Sequence, residues 1–155
     1  MSSPFFYKLT ASIIPLGLSL LYPTAVSALS IINYIPNNSF VLDITSSNLN
    51  QNFGTVNVQS SNPTGWVLKV KSAQGGHLNH ATHYFSVPYI LTVNGIVVGN
   101  LASGTDVEVM TTSTLTCETL TGCTFPVQAT ISANNINAKP AGHYSDTLVF
   151  SLVNK

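Results

Sequence analysis

Apolar and polar residues alternate with a period of two along much of the chain. Phe40, Leu42 and Ile44 alternate with Val41, Asp43 and Thr45. Trp66, Leu68 and Val70 alternate with Val67, Lys69 and Lys71, so one face is bulky and apolar and the other holds both lysines. Val107 and Val109 alternate with Asp106 and Glu108, and Val127, Ala129 and Ile131 with Gln128 and Thr130. Tyr144, Leu148, Phe150 and Leu152 are set off by Ser145, Thr147 and Ser151. In a strand, successive side chains point to opposite faces, so this pattern predicts strands with one face in a core and one in water, the antiparallel habit. No stretch of ten or more residues has a helical period.

Turn chemistry falls between these runs. Asn62-Pro63-Thr64-Gly65 separates a strand over residues 55–60 from the Trp66 strand. Asn94-Gly95, between residues 89–93 and 96–98, is a strong short-range hairpin signal, because a type I′ turn needs left-handed backbone at both central positions. Gly75-Gly76, Ser103-Gly104 and Pro140-Ala141-Gly142 mark further breaks. About eight or nine short strands at this spacing predict an all-β, antiparallel sandwich of immunoglobulin-like type, with a closed barrel as the competing architecture. An outer-membrane barrel would need longer strands and aromatic girdles.

The first 28 residues read differently. Lys8 precedes an apolar run over residues 9–21, and Ala25-Val26-Ser27-Ala28 supplies the small residues that a signal peptidase accepts. A signal peptide over 1–28 and one sandwich domain over 29–155 are therefore expected. The run is short for a membrane span and is broken by Pro15 and Pro23.

Composition narrows the function. The 155 residues include five Lys or Arg, all of them Lys, and five Asp or Glu, so the net charge is zero and charged residues are 6% of the chain. Phosphate-driven nucleic-acid binding lacks the cations it needs. Hydrophobic residues, at 45%, are too many for a charged disordered chain. Cys117 and Cys123 bracket a short loop, and an even count in an exported domain predicts a structural disulfide there. Their spacing is not that of a Cys-x-x-Cys redox pair. By loop-closure entropy such a small ring contributes about 2 kcal/mol.

Candidate chemistry is sparse. His77, His80 and His83 recur at steps of three within Gly75-Gly76-His77-Leu78-Asn79-His80-Ala81-Thr82-His83-Tyr84, with His143 as a conceivable fourth ligand. In a loop coiled into a helical turn they could converge on a metal ion; in a strand, neighbours at that spacing face opposite sides. His143, Ser145 and Asp146 sit close in sequence, but without a Gly-x-Ser-x-Gly elbow. Paired carboxylates would have to come from Asp43, Asp106, Glu108, Glu118 and Asp146. Trp66 heads an apolar stripe and is read as core rather than as a sugar platform. Tyr144 and Asp146 are read as organisers of the last strand. No Gly-rich phosphate loop is present, and no cofactor is assigned.

Three phrases resemble exported bacterial fimbrial subunits and the spore-coat-protein-U-like group of secreted sandwiches. They are Asn52-Phe53-Gly54-Thr55-Val56, Ser61-Asn62-Pro63-Thr64-Gly65-Trp66-Val67-Leu68, and Pro140-Ala141-Gly142-His143-Tyr144-Ser145-Asp146-Thr147-Leu148. The resemblance implies an immunoglobulin-like domain exported to the periplasm or cell surface. It implies a non-enzymatic subunit that assembles with itself or other surface subunits, with a periplasmic chaperone as a further partner. Two features depart from the fimbrial pattern. The cysteines lie late in the chain, and Asn33 interrupts one face of residues 29–36, which would otherwise suit a donor strand or simply form the domain's first strand. The alternative function is a secreted or periplasmic binding module for metal or carbohydrate. N-terminal sequencing of the exported protein is expected to begin at Leu29; a mature chain that keeps Lys8 would overturn the signal-peptide expectation.

Overall fold

The alternating segments form antiparallel strands in a computed structural model that describes residues 28–37, 41–42, 46–118 and 120–155. The expected signal peptide, apart from Ala28, and most of the expected strand over 40–45 lie outside the described residues. Of that strand, Val41 and Leu42 are described and lie in no strand.

One sheet is built from β1 (Ser30–Pro36), β2 (Asn48–Ser60), β9 (Cys123–Ile131), β6 (Ile90–Val93) and β7 (Ile96–Val97), in that spatial order. The second layer holds β11 (Leu148–Asn154), β3 (Trp66–Ser72) and β8 (Val107–Thr111), again in spatial order. A small third sheet places β10 (Tyr144–Ser145), β4 (His77–His80) and β5 (Ser86–Pro88) side by side. All pairings are antiparallel. The one α-helical turn among the described residues is α1 (Ala133–Ile136), and a 3-10 turn covers Leu101–Ser103.

The inward faces meet in one sandwich-like core. Val56, Val58, Leu91, Val93, Val127, Ala129 and Ile131 come from the first sheet, and Trp66, Leu68, Val70 and Val109 from the second. Trp66 is 1% exposed, its ring centroid 6.3 Å from that of Phe125. Its indole Nε1 donates to Thr116 O at 3.3 Å, which satisfies the one polar atom the ring carries inward. On the outward face of β3, Lys69 stands opposite Glu108 on β8, an opposite-charge pair across the strands.

The expected turns are present. Asn94 and Gly95 have φ of 51° and 78°, the left-handed pair of a type I′ turn, and they join β6 to β7. Cys117 and Cys123 are disulfide-bonded, with Cα atoms 4.9 Å apart. Ser60 N donates to Cys117 O at 2.8 Å, so the closed loop is tied to the end of β2.

Strand β2 is irregular where it changes partners. Its register with β9 shifts between Asn48 and Gln51 and again between Asn52 and Gly54. Gly54 sits at the second bulge with φ 124°, opposite Pro36 on one side and Val127 on the other. A Cβ there would lie 2.2 Å from Ile35 O and 2.9 Å from Pro36 Cα. The end of β1 reaches its place because this position has no side chain. Gly54→Ala is expected to destabilise the protein by about 3 kcal/mol, from left-handed strain plus a backbone collision. Urea unfolding checks this; a change below about 1 kcal/mol would contradict the close approach.

Candidate functional site

Three places carry the polar and exposed groups that could act. The first is the junction between the second and third sheets. Strands β3 and β4 run beside β11 and β10, and the register changes across residues 73–76. Asp146 lies at that change, between β10 and β11. Its carboxylate accepts from Ser72 Oγ at 2.6 Å, Gln74 N at 3.0 Å, Thr147 N at 2.6 Å and the Tyr89 hydroxyl. Ser72, 1% exposed, in turn accepts from Gly76 N at 2.7 Å. Asp146 therefore knots the 72–76 excursion, the entry to β11 and the β5–β6 connection. Its donors do not include His143 or Ser145, both of which are exposed, so the three residues close in sequence do not assemble a nucleophile, base and orienter. Tyr144, the other expected organiser, donates from its hydroxyl to Pro140 O at 2.9 Å.

Two tyrosines feel this carboxylate. Burial, then the hydrogen bond to Asp146 and its negative charge, push the Tyr89 phenol well above the ordinary tyrosine value. Burial and, secondarily, the Asp146 charge raise Tyr34 as well, and the Tyr34 hydroxyl donates to Phe53 O at 2.6 Å.

The second place is the seam between β1 and β11, the edge strands of the two large sheets. Ser30 bonds Asn154 across it through their side chains, Asn154 Nδ2 donates to Ala28 O at 3.3 Å, and the rings of Tyr34 and Phe150 pack at 4.9 Å. Ser61 N donates to Leu29 O and Asn37 N to Phe53 O, so the odd-numbered backbone groups of β1 serve β2. Those of Ser30, Ile32 and Tyr34 then point to the other edge. Ala73 N to Thr147 O and Lys155 N to Gly65 O set the same alternation in β11, which leaves Leu148, Phe150 and Leu152 facing β1. Among the described residues no ladder joins these two strands. Leu29, Ile31, Ile35, Val149 and Val153 beside the seam are each about half exposed. At the Pro36 end the seam widens into a groove of about 450 Å³ between Tyr34, Asn37, Phe53, Tyr144 and Asp146.

The third place holds the histidines. His77 and His80 lie on β4 and not in a loop; His83 alone is in the β4–β5 connection. As the strand period requires, His77 and His80 face opposite ways, and His77 Nδ1 pairs instead with Gly75 O at 2.9 Å. His80 and His83 do meet, their rings 4.7 Å apart. His80 Nδ1 accepts from the backbone N of Thr82 and of His83, both at 3.1 Å. Nδ1 is thereby occupied as an acceptor of two amides. Nε2 itself is buried without a partner, and a Cβ on Gly142 would lie 2.1 Å from it. With Nδ1 taken, a metal ion would have to reach Nε2, an atom closed off beneath the Gly142 backbone. Among the described residues no three His, Cys, Asp or Glu side chains are gathered for a metal ion.

The residues that reasoning from sequence missed are Ser72 and Tyr89, which reach Asp146 across 74 and 57 positions, and the exposed pair Tyr84 and Phe85. No local signal marks the first two. Adjacent aromatics in a polar stretch bounded by Gly75-Gly76 and Pro88 were the available sign of the second. The chain matches no protein-family model and no curated protein. No helix among the described residues is long and apolar enough to cross a membrane.

Because Tyr89 and Tyr34 resist ionisation when folded but ionise near pH 10 when unfolded, their contribution to stability is complete below pH 10 and declines above it. Tyr89, with the larger shift, approaches a slope of about 1.4 kcal/mol per pH unit above pH 10, and Tyr34 adds in the same direction. Tyr89→Phe is expected to flatten the alkaline decline, at a cost of about 1 kcal/mol at pH 8 from the lost hydrogen bond. Urea unfolding at pH 8, 10 and 11 measures both; an unchanged slope would refute the coupling.

Proposed function

We propose that the protein is an exported, non-enzymatic structural subunit of immunoglobulin-like sandwich fold, similar to fimbrial subunits and spore-coat-protein-U-like proteins, that self-associates at the cell surface through its sheet edges. The observation that carries this reading is the seam. Two strands run side by side, and among the described residues their inward-turned backbone groups form no ladder; half-exposed Leu29, Ile31, Ile35, Val149 and Val153 flank them. Unpaired edges are templates for pairing with another chain, and natural proteins ordinarily guard them with lysine, proline or a covering loop. Here β1 carries no charge and its one proline is at its end, Pro36. With charged residues at 6% of the chain, little repulsion opposes lateral contact.

The β1 segment pairs with β2 of its own chain, which supports its reading as a first strand rather than a donor. Assembly then proceeds by strand addition at the seam, and a periplasmic chaperone would serve by covering it before assembly. The proposed polymer needs no cofactor and no chemistry at Asp146, whose carboxylate is spent on holding the β3–β4 excursion in place.

Light scattering and electron microscopy of the purified protein test the proposal. Oligomers or fibres that grow with concentration are expected. Ile31→Lys with Val153→Lys should leave a monomer of unchanged circular dichroism, because like charges then face the incoming strand. A wild-type protein that stays monomeric at millimolar concentration would sink it.

A further inference from the structure

The β4–β5 connection is a built structure that presents aromatic rings to water. His80 N donates to Phe85 O at 2.9 Å and closes the hairpin, and Ala81 N donates to His143 O at 2.9 Å and ties it to the start of β10. Inside, His80 Nδ1 gathers the amides of Thr82 and His83. The His80 ring is itself clamped, edge-on against Tyr144 at 4.8 Å and beside His83 at 4.7 Å. On a loop held this firmly, Tyr84 stands fully in solvent and Phe85 is 42% exposed. Tyr84 and Phe85 are adjacent in sequence, so the loop presents two exposed aromatic side chains side by side and not a single scattered one.

The residues from Asn79 to Ser86 line an open, shallow depression of about 550 Å³, suited to a ligand that lies across the surface and is not engulfed by it. Its lining combines aromatic rings with hydrogen-bonding groups: the Asn79 amide, which also donates to Gln74 Oε1, the Thr82 and Ser86 hydroxyls and the His83 imidazole. Among the described residues no carboxylate lines it. The nearby cation, Lys139, sits 5.7 Å over the Phe85 ring and is engaged there. A cation would find no carboxylate among the described lining residues, and an anion only a lysine already drawn to Phe85. An uncharged molecule rich in hydroxyls, with one apolar face to lay on a ring, satisfies every group present.

We propose that this depression binds a neutral saccharide, with Tyr84 as the stacking platform and His80 as the positioning residue that holds the loop open beneath it. The site uses none of the seam residues, so it stands whether the protein is monomeric or assembled.

The test is affinity electrophoresis of the purified protein in gels containing laminarin, hydroxyethyl cellulose, starch or dextran, with calorimetric titration of cellohexaose and chitohexaose. Retardation or heat from at least one of these neutral glycans is expected. Tyr84→Ala, at a fully exposed position that folding does not need, should weaken that binding by about tenfold or more, as loss of an aromatic anchor does. Tyr84→Trp should retain it, because the ring face and not the hydroxyl does the holding. His80→Ala should weaken it while His80→Asn, which keeps an acceptor under the loop, restores part of it. Failure of every neutral glycan, binding undiminished in Tyr84→Ala, or binding confined to an acidic polysaccharide such as alginate would each overturn the proposal.

Discussion

The inner faces of two sheets can leave water only by facing one another, and the rest of the molecule is arranged around that constraint. Trp66, Leu68 and Val70 cover Val56, Val58, Val127 and Ile131 so completely that most of them have no measurable exposure. Burial of a side chain of this kind contributes about 1.5–3 kcal/mol each before chain entropy is counted. With so few charges on the chain, no comparable electrostatic term is present, and the outward faces need only be polar. Ser, Thr and Asn meet that need, at the cost of edges that carry little to repel a neighbour.

Polar groups enter the interior where the sheets must bend. At the β3–β4 excursion the ladder is interrupted, and its amides need acceptors because unpaired buried donors are expensive. Asp146 and Ser72 supply them: Gln74 N goes to the carboxylate and Gly76 N to the hydroxyl. Tyr89 adds a third connection from the first sheet's side of the core. A carboxylate used in this way is a fastening, and its demands explain why it stands apart from His143 and Ser145. His80 does for the β4–β5 loop what Asp146 does for the excursion, taking two backbone amides on one nitrogen. Both residues invite a chemical reading in the sequence, and both are instead engaged in fastening the fold, His80 by two backbone amides and Asp146 by two amides and two hydroxyls.

The seam is the counterpart of this economy. Where β2 and β9 are paired on both sides, β1 and β11 are paired on one side each. Side-chain contacts at Ser30, Tyr34 and Phe150 hold them near one another without forming a ladder. The groove at its wider end and the exposed aliphatics along it are thus products of the strand order, which leaves two edges adjacent.

The sequence by itself determined the strand-forming character of most segments, because period-two alternation is local and a strand has no other way to sort its side chains. The Asn94-Gly95 hairpin and the Cys117–Cys123 loop were legible for the same reason: their partners are a few residues apart. The short β4 and β5 strands were not, since His77–His80 and Ser86–Pro88 have too few residues to display a period and are strands only by virtue of the neighbours they pair with. Only the tertiary structure decided that Tyr89 and Ser72 meet at Asp146, that Gly142 seals His80 Nε2, that Tyr84 is left in water, and that β1 comes to lie beside β11. Each of these joins residues that no local pattern relates, and such long-range pairings are set by the order in which strands stack rather than by any segment's own preference.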